Sequence, residues 1–347
     1  MIRKFIFPIV LICTLFIFSC NLPTTVESQD LVKDISGVYC LNIMNLELTI
    51  VQNNDRLIFT TSANTLSEGT GNVSGDEIQL NAKTASGESF FAEVTLLPKL
   101  RGFQGQFEVL SQGGEKSING ILLGFEGACP VFDTANNTLP QFITNNFTNL
   151  EKIEQVSRFR SGFGHSFTDG FEVCRSMKHY FSPFEAYRDN QRVEIFAPAD
   201  GTVISILDDG HGASLGLNNK QVHIRPDVQP AFTIELYHVD LLSAEIRTGK
   251  IVQAGELLGF ARLNYEDLNE YASSFDIAVR VNTIGGSQLV SYFDVLTESV
   301  FDIYSSRGEF NRQDFVISRD DRDAAPLECS GETFLSSGEI ENWVVLP

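Results

Sequence analysis

Positive charge is scarce in this 347-residue chain: 25 Lys and Arg stand against 45 Asp and Glu, a formal net charge of −20. Nucleic acid and anionic lipid surfaces both attract basic faces, so direct electrostatic binding to either is disfavoured. A second long apolar run is also missing. After the stretch from Phe5 to Phe18, nothing is long enough to cross a bilayer as a helix. Histidine is sparse, with five in all, at 165, 179, 211, 223 and 238, so each can be weighed on its own.

The chain opens with a targeting segment. Arg3 and Lys4 precede the apolar run, and Ser19-Cys20 ends it, which reads as a secretory signal over residues 1–19. Ile17-Phe18-Ser19-Cys20 resembles a bacterial lipobox, which implies that Cys20 is acylated and anchors the mature chain to a membrane. The alternative is an ordinary signal with an incidental Cys. Removing residues 1–19 deletes two positive charges and takes the formal charge from −20 to −22. Cys13 leaves with the signal, so Cys40, Cys129, Cys174 and Cys329 remain, with three possible connectivities. Pairing Cys40 with Cys129 and Cys174 with Cys329 keeps each bridge inside one domain, and an oxidising compartment fits export.

Residues 20–34 are polar and read as a tether. From 35 to 131, apolar residues alternate at Leu46, Leu48 and Ile50, at Ala92, Val94 and Leu96, and at Phe103, Phe107 and Val109, with glycines between the runs. That spacing predicts an antiparallel barrel or sandwich. Ile35-Ser36-Gly37-Val38-Tyr39 and the Gly-containing hairpins resemble small lipocalin-like barrels. The resemblance implies either an apolar ligand cavity or a filled core, and small barrels favour the second. Residues 132–158 lack alternation and read as a linker, with one short helix expected around Phe147 to Val156. A second domain over 159–300 is expected to place strands at 193–196, 202–207, 221–224, 232–238 and 275–281. Residues 301–347 form an extension expected to fold back, given Cys329 and the apolar Trp343-Val344-Val345-Leu346.

The chemistry concentrates in the second domain. His165 and Asp169 stand four apart in Gly164-His165-Ser166-Phe167-Thr168-Asp169-Gly170, and zinc sites take His and carboxylate ligands. Ser274 and Asp276 share one face of the strand that begins near Phe275. Between them lie Ala197-Pro198-Ala199-Asp200-Gly201-Thr202-Val203, then Leu236-Tyr237-His238-Val239, then the Gly249, Gly255 and Gly259 block ending in Leu257-Leu258-Gly259.

In order and spacing these blocks resemble the lysostaphin-type (LytM-like) zinc endopeptidases, which cut peptide bridges in peptidoglycan, over roughly residues 160 to 283. The resemblance implies an all-β fold: a small lipocalin-like barrel followed by a LytM-like antiparallel domain. It assigns metal-ligand positions to His165, Asp169 and Asp276, and assisting positions to His238 and Ser274. Two departures matter. The family's closing His-x-His is Ser274-x-Asp276, and the segment from Cys174 to Phe181 is longer than usual.

A serine hydroxyl cannot serve as the neutral-pH base that an imidazole provides. Two carboxylates and one imidazole would formally cancel a zinc charge and leave its water less acidic. Zinc is therefore expected to be weakly bound or absent, and the leading expectation is a non-catalytic envelope lipoprotein binding peptidoglycan peptide or a protein partner. An active zinc endopeptidase and a lipocalin-like carrier of a small apolar ligand are the alternatives. His179 is a conceivable substitute ligand, His223 a packed strand residue, and His211 a hairpin-tip residue.

Overall fold

The computed structural model describes residues 33–42, 46–62, 66, 68–97, 102–111, 113–114, 116–189, 192–209, 216–265, 270–271 and 273–347. Cys20, the signal, most of the tether and His211 lie outside them.

Alternation of apolar and polar residues puts successive side chains on opposite faces of a strand, and eight such strands build the first domain. They are β1 (Gly37–Leu41), β2 (Glu47–Asn53), β3 (Arg56–Thr61), β4 (Gly69–Ser74), β5 (Glu77–Lys83), β6 (Ser89–Leu97), β7 (Gly102–Leu110) and β8 (Lys116–Glu126). Each pairs antiparallel with the next, and β8 returns to β1 with Cys40 opposite Phe125, closing a barrel. Leu48, Ile50, Leu57, Phe59, Ile78 and Leu80 join Phe103 and Leu122 in one buried cluster. The barrel is thus filled by its own side chains.

Two glycines allow that filling. The Phe59 ring occupies the space where a side chain on Gly69 would stand, and the Phe103 ring does the same at Gly124. A disulfide between Cys40 and Cys129 ties the first strand to the segment after the last. A hollow of about 580 Å³ lies on β6–β8, and Glu93, Gln106, Glu108 and Asn119 line it together with Phe91 and Ile121.

The stretch expected to be a linker belongs instead to the second domain. Phe142, Ile143, Phe147, Leu150, Ile153 and Val156 are all in its core. The helix expected around Phe147 to Val156 is a single 3-10 turn, Leu150–Lys152, followed by strand β9 (Ile153–Ser157). Its buried Ile153 and Val156 suit a strand paired on both sides, a tertiary setting that alternation alone does not reveal.

The sheet continues through β10 (His179–Pro183), β11 (Glu194–Phe196), β12 (Gly201–Asp208), β13 (Lys220–Pro226), β14 (Phe232–Leu241), β15 (Ile251–Val252) and β16 (Leu257–Ala261). Strands β17 (Asn264–Tyr265) and β18 (Glu270–Tyr271) form a separate ribbon, and β19 (Phe275–Thr283) with β20 (Gly286–Val290) rejoins the sheet. Three short helices follow: α1 (Tyr292–Val295), α2 (Glu298–Ser305) and α3 (Arg319–Ala324). Strands β21 (Cys329–Ser330) and β22 (Thr333–Phe334) make a second ribbon, and β23 (Trp343–Val345) returns to pair with β9. The main order is β15-β12-β13-β14-β19-β10-β9-β23, all antiparallel. A second disulfide joins Cys174 to Cys329. The fold is all-β, a closed barrel followed by an antiparallel sheet domain.

The two domains meet through specific contacts. The Asn42 side-chain amide donates to the Ile204 carbonyl at 2.8 Å, and Gln104 donates to the Thr248 carbonyl at 3.1 Å. The Arg225 guanidinium stacks 3.3 Å from the centre of the Phe125 ring.

Candidate functional site

Strands β14, β19 and β10 are neighbours in the sheet, and their register brings the site together. Asp276 lies opposite Tyr180. Residues opposite one another in an antiparallel pair project from the same face, and so do residues two apart on one strand. Lys178, two before Tyr180, is thereby brought to the face of Asp276. Its ammonium lies 2.7 Å from Asp276 Oδ2, with side chains 5% and 0% exposed respectively. The same nitrogen sits 3.6 Å from the centre of the Tyr237 ring and 4.4 Å from that of Phe167. A carboxylate buried this deeply requires a compensating charge, and Lys178 provides it.

His238 approaches from the other side. Its Nε2 is 3.3 Å from Asp276 Oδ1, and its Nδ1 is 2.8 Å from Asp209 Oδ2. Strand β14 changes partner at this point: up to Leu236 it pairs with β19, and from Val239 it pairs with β16. His238 makes the bend with φ of 57°, left-handed backbone uncommon for a residue with a side chain. The Asp209 carboxylate also accepts the His238 backbone N–H, and the His238 carbonyl accepts from Arg262 N–H. Burial alone would lower the His238 pKa. The Asp209 hydrogen bond and the charges of Asp276 and Asp209 outweigh burial and the Lys178 charge, and the net shift is upward. Burial pulls the Asp209 carboxyl upward, but His238 and Gln221 hold it below the usual range.

The expected metal ligands do not assemble as the sequence implied. Asp169 spends its carboxylate on the backbone: Oδ1 accepts from Phe171 N–H at 2.9 Å and Oδ2 from Leu289 N–H at 2.9 Å. Asp276 is held between Lys178 and His238. His165 is partly exposed, with Nδ1 3.6 Å from Glu332 on the β21–β22 turn, whose carbonyl accepts Ser166 N–H. Burial first, and then the nearby Lys178 charge, lower the His165 pKa against the pull of Asp276. Among the described residues, no three His, Cys, Asp or Glu side chains are grouped to hold a metal ion. Zinc does not fit this donor set, because an ammonium already contacts one of its carboxylates and backbone amides hold the other.

Ser274, at the position where an assisting imidazole was sought, is 9% exposed at the entry to β19. His179 is no substitute ligand. It is buried, its Nδ1 donates to the Ser157 carbonyl at 2.9 Å, and its Nε2 accepts from Ser291 Oγ at 3.0 Å. Burial lowers its pKa to about 4, so the ring is neutral. His223 is half-buried on β13 with its ring edge-on to Tyr237.

Sequence reasoning found His165, His238 and Asp276 but missed Lys178 and Asp209. The lengthened segment after Cys174 was the available signal for the first. The second sits at the end of the strand before residue 210, where the sequence shows only an acidic turn.

No family model matches the chain, and no curated protein matches it. Among solved structures it is similar to Helicobacter pylori Csd3 from an orthorhombic crystal, at 11% identity and a TM-score of 0.30, covering 81% of this chain and 84% of that one. For Csd3 from a hexagonal crystal the identity is 10% and the TM-score 0.28, covering 81% and 82%. Likeness at that level carries no weight for the chemistry, which rests on the side chains described above.

Proposed function

We propose that the chain is a cell-envelope lipoprotein whose second domain binds peptidoglycan peptide in a peptidase-like groove that does not cut. The carrying observation is the commitment of both acidic ligand positions, Asp169 to two backbone amides and Asp276 to Lys178 and His238. Among the described residues no three donors converge to seat the Lewis acid that polarises a peptide carbonyl. Ser274 supports the same reading, since it removes the second imidazole.

Export and anchoring through Cys20 form part of the proposal. Two disulfides within the described residues suit an oxidising compartment. Phe171 and Val173, 46% and 73% exposed, flank Glu172 close to Asp169, and Phe171 lies against the β19–β20 turn that carries Ile284, 89% exposed. Such apolar groups give a peptide something to bind. The barrel is read as a spacer or docking module, because its interior is already filled.

The test is co-sedimentation of the purified protein with peptidoglycan sacculi, run beside a muropeptide digestion with zinc added. Retention on sacculi without cleavage is expected. Cross-link cleavage that disappears in a His165→Ala variant would instead establish an endopeptidase. Absence of retention, with capture of a single envelope protein, would move the partner from peptidoglycan to protein.

A further inference from the structure

Asp276 is the most enclosed acidic group of the site, with no side-chain exposure, yet it holds a full ammonium on one oxygen and an imidazole on the other. The seat of that ammonium is built from several elements. Phe167 and Tyr237 present ring faces to it, a setting that favours a desolvated cation. Lys178 is carried there by a segment pinned along its length. Cys174 is bridged to Cys329, Arg175 pairs with Glu172 at 2.7 Å and with Asp323 at 2.7 Å, and Met177 N–H bonds the Phe167 carbonyl. The lengthened segment noted in the sequence therefore delivers one specific charge to one specific place. His165 lies close enough to feel both Lys178 and Asp276. An ammonium thus sits among the groups that the sequence resemblance marks as metal neighbours.

We propose that Lys178 is the resident cation of this groove: its ammonium neutralises Asp276 in place of a metal ion, so the domain is complete without one. The inference rests on the reading of the groove as a non-cutting site, but it does not require that peptidoglycan be the ligand. A dication at Asp276 would have to displace an ammonium that is enclosed by two rings and whose side chain is almost wholly buried. Replacing the lysine leaves a buried carboxylate with the His238 imidazole but without its ammonium, a damaging way to break such a pair.

Three measurements test this. Wild-type protein equilibrated with excess zinc and desalted should retain well under one zinc per chain, and its Tm should be the same in zinc and in EDTA. Lys178→Met should lower Tm by about 10 °C. Adding Asp276→Asn to that variant should return most of the loss, because the orphaned charge is gone. If Lys178→Met does not accumulate as folded protein, recovery of folded Lys178→Met/Asp276→Asn is the same readout. One zinc per wild-type chain, or an Asp276→Asn change that fails to rescue Lys178→Met, overturns the proposal. Failure to bind sacculi would leave these outcomes untouched, so the two readings fail separately.

Discussion

One carboxylate oxygen, Oδ2 of Asp209, lies 2.8 Å from both the backbone nitrogen and Nδ1 of His238. It fixes the strand and the imidazole together at the residue where β14 leaves one neighbour for another. The left-handed backbone of His238 is thereby held in place by the same group that orients its ring toward Asp276.

Asp209→Ala should therefore destabilise the domain by about 2–3 kcal/mol, since it removes at once the acceptor of the His238 N–H and the carboxylate against Nδ1. Asp209→Asn keeps one acceptor and should cost less. Equilibrium denaturation measures both, and a wild-type midpoint for Asp209→Ala would refute this account of the bend.

Acid should weaken the fold in a window set by histidines. His179 has a pKa of about 4 in the folded chain, because of burial partly offset by its bond to Ser157. Unfolded, the value is roughly 6.5. The folded value is depressed, so its stabilising contribution is complete above the unfolded pKa and is lost as pH falls toward 4. From His179 alone about 2 kcal/mol disappears between about pH 8 and pH 5. His165 and His223 are lowered as well and act in the same direction. His238 is raised and has the opposite sign, stabilising below its unfolded pKa and losing that contribution as pH rises. Nuclear magnetic resonance should find the His179 ring still neutral near pH 5.5. A ring already protonated there would contradict the assignment.

Gly124→Ala should cost about 1–3 kcal/mol through collision with the Phe103 ring. Gly124→Ala with Phe103→Leu should be less unstable than the sum of the two single changes, because the second relieves the first. Strict additivity in thermal melts would mean that the ring does not lie where described.

Building a zinc site in this groove takes more than supplying histidines. Ser274→His with Asp276→His strands the buried Lys178 ammonium, at a cost of about 3–5 kcal/mol. Zinc uptake should appear only when Lys178→Ala is added. Elemental analysis of the two variants decides it, and equal zinc content in both would show that Lys178 is no obstacle.

Much of the architecture was legible. Alternation at Leu48 and Ile50 and at Ala92 and Val94, with regular glycines, pointed to an antiparallel barrel or sandwich because strand faces repeat every second residue, and the structure closes a barrel. The two disulfides followed from keeping each bridge within one domain. Five strands of the second domain fall where the alternation placed them. The stretch around Phe147 was misread, because its burial comes from strands distant in sequence and leaves no periodic trace. Lys178 was not legible as a site residue for a related reason. An ammonium reaches Asp276 only through the opposition of Tyr180 and Asp276, and no spacing in the chain records which strands are neighbours. Asp169 keeps the residue type expected of a ligand, yet its carboxylate turns to the amides of Phe171 and Leu289, a choice of geometry rather than of composition.

The pairing of β23 with β9 joins Val344 to Val156, and the second disulfide joins Cys174 to Cys329. A chain that emerges N-terminus first into the compartment where it folds lets the two domains mature on different schedules. The barrel has all its strands and both its cysteines once Cys129 has emerged, and it can close at once. Its neighbour must hold an open strand edge at β9 and an unpaired thiol at Cys174 until β23 and Cys329 have emerged, and Cys329 comes 155 residues after Cys174. An open edge of this kind is where chains adhere to one another. The vulnerable interval in the life of this protein therefore lies between the emergence of β9 and that of β23, with the barrel finished and its neighbour waiting for Val345.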